Sequence, residues 1–233
     1  MKKTLIILIL ALLSSMSIAA DKRPVVAVIE FKNQTSAPWW QHGVGRELSD
    51  MLSNELLGTG VFKVVERRKL DNVLTEQDLG ASGRVSKSTA AKMGKVTGAQ
   101  YLITGSVSNF ESSGSKGGGV SFKGISLGGK KSTVSLGIDI RVINATTGEV
   151  EYARTVEATA KSGGMRIGLS RGGFGGALGG EKKTPTGKAI RAVLIEATDY
   201  LACVMYDQDS CVKEYRNKEK NRRKKTRSSV DLD

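Results

Sequence analysis

The stretch "VSLGIDIRVINATTGEVEYARTVEATA", Val134–Ala160, decides the fold. Val134, Leu136, Ile138, Ile140 and Val142 alternate with Ser135, Gly137, Asp139 and Arg141, the period of two expected of a strand with one buried face. "NATTGEV", Asn144–Val150, reads as a hairpin turn, and "EYARTVEATA" returns as the partner strand. Glycine-rich segments flank this hairpin, with Val120, Phe122, Ile125 and Leu127 weakly alternating on one side and Met165, Ile167 and Leu169 on the other. Two neighbouring strands drawn out beyond the body of the domain would carry both segments at the same end of the sheet. Read from the residues alone, each segment is either a disordered loop or a strand pair between two different solvents.

Upstream, "PVVAVIEF" (Pro24–Phe31) is a buried-strand pattern, and Val44, Leu48, Met51, Leu52 and Leu56 share one face of a helix that ends on Gly58 and Gly60. "VFKVVE" predicts a second short strand. Leu70, Val73 and Leu74 predict a second helix, Ser88 caps a third over "STAAKMGKV", and "AQYLITGSVSNF" is the strand that follows. After the hairpin, Thr186 is placed as the cap of a last helix with Ala189, Ile190, Val193, Leu194, Ala197 and Leu201 facing the core. The order β-α-β-α-α-β-β-β-α is that of one α/β domain, which suits a chain of 233 residues.

Residues 1–20 pair Lys2-Lys3 with an apolar run, Leu5–Leu13, and small residues at Ser17, Ala19 and Ala20. This is the pattern of a secretory signal peptide, and its apolar run falls short of the roughly 20 residues a membrane-spanning helix needs. No cysteine stands near the expected cleavage point, so the exported chain is read as not lipidated. Cys203 and Cys211 would lie about 12 Å apart on one straight helix, beyond a disulfide's reach of about 7 Å. They are either two free thiols or a pair closed by a turn at Asp207–Ser210. The formal charge is +13, and Lys213–Arg227 alone holds nine Lys/Arg against two Glu. The domain proper is placed at 21–212, and 213–233 reads as a solvated basic tail whose functional counterpart would be anionic headgroups or an acidic partner. Nucleic acid is not expected of an exported chain.

The polar inventory does not suit an enzyme. The chain has one histidine, His42, no cysteines at metal-ligand spacing and no nucleophile-elbow serine, so neither a catalytic residue nor a metal or cofactor is expected. "GISLGGKKST" departs from a phosphate-binding loop at Lys131, and no helical pattern follows it.

"VVAVIEFKNQT", "GVGRELSDMLSNELLGTGVFKVVERRKLDNVLTEQDL", "GAQYLITGSVSNFE" and "IDIRVINATTGEV" together resemble the curli secretion channel family, CsgG and its relatives, over roughly Val25–Ala202. The resemblance implies a mixed-sheet periplasmic domain assembled into a homo-oligomeric ring, of nine subunits in the family. Two hairpins per subunit, here 113–136 and 159–184, would enter an outer-membrane barrel. An unfolded polypeptide would pass by diffusion, with periplasmic accessory proteins as further partners. Val120 and Phe122 change phase with Ile125 and Leu127 at Lys123-Gly124, as at a turn or bulge, while Arg166 and Arg171 would have to avoid lipid. Trp39, Trp40, Gln41 and His42 occupy the place of the family's constriction loop. Adjacent tryptophans on an extended loop point to opposite sides, so one would anchor the loop and the other would project with Gln41 or His42. The competing reading is a soluble periplasmic adaptor that uses the same domain to bind an envelope protein.

Overall fold

Apolar alternation becomes a six-stranded mixed sheet with two helices packed on one face. The computed structural model describes residues 21–115, 120–122, 125–127, 131–161 and 184–230. The signal-peptide segment 1–20 and the larger part of both glycine-rich segments lie outside the described residues. The chain runs β1 (Val25–Val28), β2 (Lys32–Asn33), α1 (Val44–Gly58), β3 (Lys63–Val64), α2 (Leu70–Ala81), β4 (Tyr101–Ser115), β5 (Val120–Phe122), β6 (Ile125–Leu127), β7 (Lys131–Asn144), β8 (Val150–Lys161), α3 (Pro185–Ala202), a π-helical turn (Cys203–Asp207) and α4 (Ser210–Arg227).

The order in the main sheet is β3-β1-β4-β7-β8, with β2 also on β4. The β3-β1-β4 half is parallel and the β4-β7-β8 half antiparallel. Strands β5 and β6 form a separate antiparallel pair, Phe122 opposite Ile125. On the covered face Val26, Ile103, Val107, Ile138, Ile140 and Val142 are buried under Leu48, Leu52 and Leu56 of α1 and Ala189, Val193, Leu194 and Leu201 of α3. Arg141 and Glu157 on the opposite face are exposed, as a half-solvated antiparallel sheet requires.

One junction ties α1 to the sheet. The Ser49 hydroxyl is buried 2.9 Å from Ile29 O and 2.8 Å from Gly45 O, and it accepts the Phe31 N–H at 3.3 Å. The Phe31 ring is packed so tightly over Gly105 of β4 that a Cβ there would overlap it.

Three sequence expectations need correction. Ser88–Val96 forms turns rather than a third helix, and its large apolar residues stay exposed, Met93 at 59% and Val96 at 42%. The cap of α3 is Thr184, whose hydroxyl accepts the Gly187 N–H at 3.1 Å. Pro185 takes the first helical position, where a missing N–H costs nothing. The basic run is a helix, not a loose tail. Gln208, at φ +50, ends the π-helical turn, and Asp209 Oδ1 caps α4 by accepting the Cys211 N–H at 2.8 Å. This reversal brings the Cα atoms of Cys203 and Cys211 to 6.0 Å, and a disulfide joins them.

Tyr215 is the buried residue of α4. Its ring meets Tyr200 edge-on at 5.3 Å, and the Arg154 guanidinium lies over both rings at 4.7 and 5.1 Å while donating to Tyr215 O at 3.2 Å. Burial pushes both phenols above the ordinary tyrosine range. Glu219 pairs with Arg222 and Arg223 one turn on, offsetting part of the like-charge repulsion within the run.

Two outcomes follow. Gly105→Ala should destabilise the chain by about 1–3 kcal/mol through overpacking, read as a lower midpoint in urea. Replacing both Cys203 and Cys211 with serine should cost about 2–3 kcal/mol on the chain-entropy account of a short closed loop. Hydrogen exchange should then show α4 losing protection while β4, β7 and β8 keep theirs.

Candidate functional site

Residues 34–43 link β2 to α1, and the sequence gives this loop a fixed shape. Asn33 Oδ1 accepts the Thr35 N–H at 2.9 Å and the Thr35 hydroxyl at 2.8 Å, and Thr35 Oγ1 accepts the Ala37 N–H at 3.2 Å. Gln34 N–H donates to Val107 O of β4 at 2.9 Å, and Trp40 N–H closes a turn onto Ala37 O at 3.0 Å with Pro38 and Trp39 at its centre. Pro38 suits the second position of such a turn because its ring presets φ. Gly43, at φ +92, then opens α1, and its carbonyl accepts the Arg46 and Glu47 N–H groups at 3.0 Å each.

The turn at Pro38-Trp39 removes the premise that neighbouring tryptophans must diverge. Both indoles are half-buried against the core, edge-to-face with centroids 5.8 Å apart. Gln41 and His42 are exposed at the end of the loop, with His42 Nε2 3.3 Å from the Arg46 guanidinium. Trp39 Nε1 is buried with no hydrogen-bond partner among the described residues, a cost of about 1–3 kcal/mol.

Phe110 completes the site, and sequence reading missed it. Trp39 packs edge-to-face on Phe110 at 5.7 Å. In β4, Ile103, Gly105 and Val107 face inward, yet Phe110 does too, because the register shifts between Val107 and Asn109: Val107 lies opposite Ile138, Asn109 opposite Gly137 and Phe110 opposite Leu136. Ser108 is the extra residue of a β-bulge. The signal was present in "YLITGSVSNF", where the apolar phase changes from odd to even positions at Ser108-Asn109.

Beyond this bulge β1 and β2 no longer reach, and β4, β7 and β8 continue alone as a three-stranded extension. From Ser108 to Ser115 it runs roughly 25 Å at about 3.3 Å per residue. Ser115 ends opposite Lys131, and Lys161 opposite Thr133, so both glycine-rich segments leave from one end of the sheet. The Cys203–Cys211 turn belongs to the other end, since Tyr200 just before it donates to Ala153 O near the start of β8 at 3.5 Å. Among the described residues no helix is long and apolar enough to cross a membrane.

A family model described as the curli production assembly/transport component CsgG matches residues 11–230. The proteins of that name from Salmonella typhimurium and Salmonella typhi are each 26% identical over 133 residues, covering 55% of this chain and 48% of theirs. The chain thus spans about half the length of the curated relatives it matches. Among solved structures, the hypothetical protein CT253 from Chlamydia trachomatis is similar at TM-score 0.44 and 12% identity, covering 79% of this chain and 99% of its own. The PelC dodecamer from Paraburkholderia phytofirmans is similar at TM-score 0.37 and 15% identity, covering 76% and 86%. Likeness at that level says nothing further of this chain. The hairpin, the loop and the three-stranded extension all fall inside the matched span, and the chain belongs to the family of the curli production assembly/transport component CsgG.

Proposed function

We propose that this chain is a non-enzymatic subunit of an oligomeric outer-membrane channel that exports an unfolded polypeptide, a curli-like subunit, by diffusion. One observation carries the reading: both glycine-rich segments leave from the same end of a three-stranded extension that runs on past β1 and β2. Of segments 113–136 and 159–184, Val134, Leu136 and Ala160 are buried in the domain core, so on this reading the portions farther out continue the extension as two membrane hairpins, and β-strands that close on neighbours satisfy the backbone in lipid. The exposed Val73 and Leu74 of α2 are surface that an adjacent subunit in a ring covers.

The loop supplies the constriction. Trp39 and Trp40 hold it on the core, and Gln41 and His42 stand at its exposed end, where on this reading they face the lumen. Ring symmetry repeats these two polar side chains in every subunit. A collar of that kind contacts an extended chain without binding any one sequence.

Imaging the mature chain in detergent should give closed rings, and protease added to intact outer membranes should leave both glycine-rich segments uncut. A monomer in every detergent overturns the channel, and trimming of both segments with the oligomer and activity intact favours the soluble adaptor instead. Within the ring, Gln41→Ala and His42→Ala should each raise single-channel conductance. Trp39→Phe, which keeps the Phe110 contact and removes the unpartnered N–H, should leave conductance near wild type, whereas Trp39→Ala should not. Unchanged conductance in Trp40→Ala, Gln41→Ala and His42→Ala rings would sink the constriction.

A further inference from the structure

The charge of α4 is graded along its length. Through Glu219, the basic residues Lys213, Arg216 and Lys218 are nearly balanced by Glu214 and Glu219. From Lys220 to Arg227 there are six basic residues and no acid. Glu219, the last acid of α4, is committed to Arg222 and Arg223. Lys220, Lys224, Lys225 and Arg227 are exposed and make no ion pair among the described residues. Lys220 with Lys224, and Lys224 with Arg227, are like-charged neighbours at spacings that destabilise a helix on its own.

The direction of α4 gives this gradient a meaning. Tyr215 pairs with Tyr200 and Lys218 with Glu196 at 3.4 Å, so α4 runs antiparallel to α3. At about 1.5 Å per residue in both helices, Arg227 stands level with the first turn of α3, near Lys188. That turn follows the second glycine-rich segment directly, at the end of the sheet where Lys131 closes on Ser115 and where the exposed Lys161 ends β8. In β4, β7 and β8 no acidic residue lies closer to that end than Glu111 and Glu157.

Resting on the channel reading above, we infer that Lys161, Lys188, Lys220, Lys224, Lys225 and Arg227 form a basic collar that seats the domain against the anionic phospholipid headgroups of the membrane its hairpins enter. The contact is made at headgroup level and does not penetrate, because α4 has no apolar residue beyond Tyr215 and so lacks the apolar face of an interfacial helix. Basic residues on every side of the last two turns suit a flat polyanionic surface met end-on. An acidic protein would instead be matched by a defined arrangement of partnered charges.

The test uses the full chain and the variant Lys220→Gln, Lys224→Gln, Lys225→Gln, Arg227→Gln, which keeps good helix formers. Each is floated with vesicles of phosphatidylcholine alone, or with phosphatidylglycerol replacing a third of it. Circular dichroism and the intact disulfide verify the fold. The wild-type chain should favour the anionic vesicles by about tenfold or more, an advantage that shrinks with salt and that the variant lacks. Equal preference in variant and wild type, or none in the wild type, overturns the collar. Retention on immobilised polyglutamate that the variant loses while keeping its vesicle preference also overturns it, in favour of an acidic protein. Conductance measured on the same preparations separates the two readings. Rings that conduct without the lipid preference remove the collar alone, and a lipid preference without conductance removes the channel alone.

Discussion

Phe31 is where the two halves of the molecule are fastened. Its N–H is shared between Gly45 O and Ser49 Oγ of α1, and its ring fills the space left by the missing side chain of Gly105. It stands between β1 and β2, so the direction in which the chain leaves the parallel half is fixed there. The placement of the loop at residues 34–43 follows from this. Gln34 reaches β4, Asn33 and Thr35 fold the loop onto itself, and Trp39 lands on Phe110. A bond to a backbone group that a sheet ladder does not satisfy is worth little by itself, but leaving that buried group unpaired would be expensive.

The far end of the molecule is held by different means. The docking of α4 rests on a covalent link, a cation against two phenol rings and surface ion pairs, with Tyr215 its buried residue. Exposed ion pairs contribute at most about 1 kcal/mol each and are weakened by salt. The disulfide and Tyr215 therefore bear most of the docking of α4, and the basic end of the helix is left to solvent and to whatever anion it meets.

Much of this was legible in the residues. The alternation over Val134–Val142 and the spacing of Leu48, Leu52 and Leu56 gave strand and helix correctly, because in both cases one face is fully buried and periodicity records burial. Ser88–Val96 misled because a capping serine and good helix formers indicate a helix only where something covers its apolar side, and Met93 and Val96 are exposed. Lys213–Arg227 misled in the opposite sense. Its composition is that of a solvated tail, and the structure that orders it hangs on two residues, Cys211 and Tyr215, whose partners lie 8 and 15 positions upstream at Cys203 and Tyr200. The loop was found by its place between strand and helix, but its partner Phe110 was not, because a single unpaired serine had reversed the inward parity of the strand.

That serine has a geometric consequence. Ser108 is the one residue between Tyr101 and Ser115 without a partner on β7, and the pairs on either side, Val107 with Ile138 and Asn109 with Gly137, would sit next to each other if it were deleted. Inward and outward faces would stay as they are, so the bulge is not needed for register. What it sets is direction, since a bulge bends its strand and increases the local twist. In any closed sheet the tilt of the strands and the circumference are coupled. On the channel reading proposed above, a serine in the body of the domain would thereby bear on the circumference of the closed sheet that the extension enters.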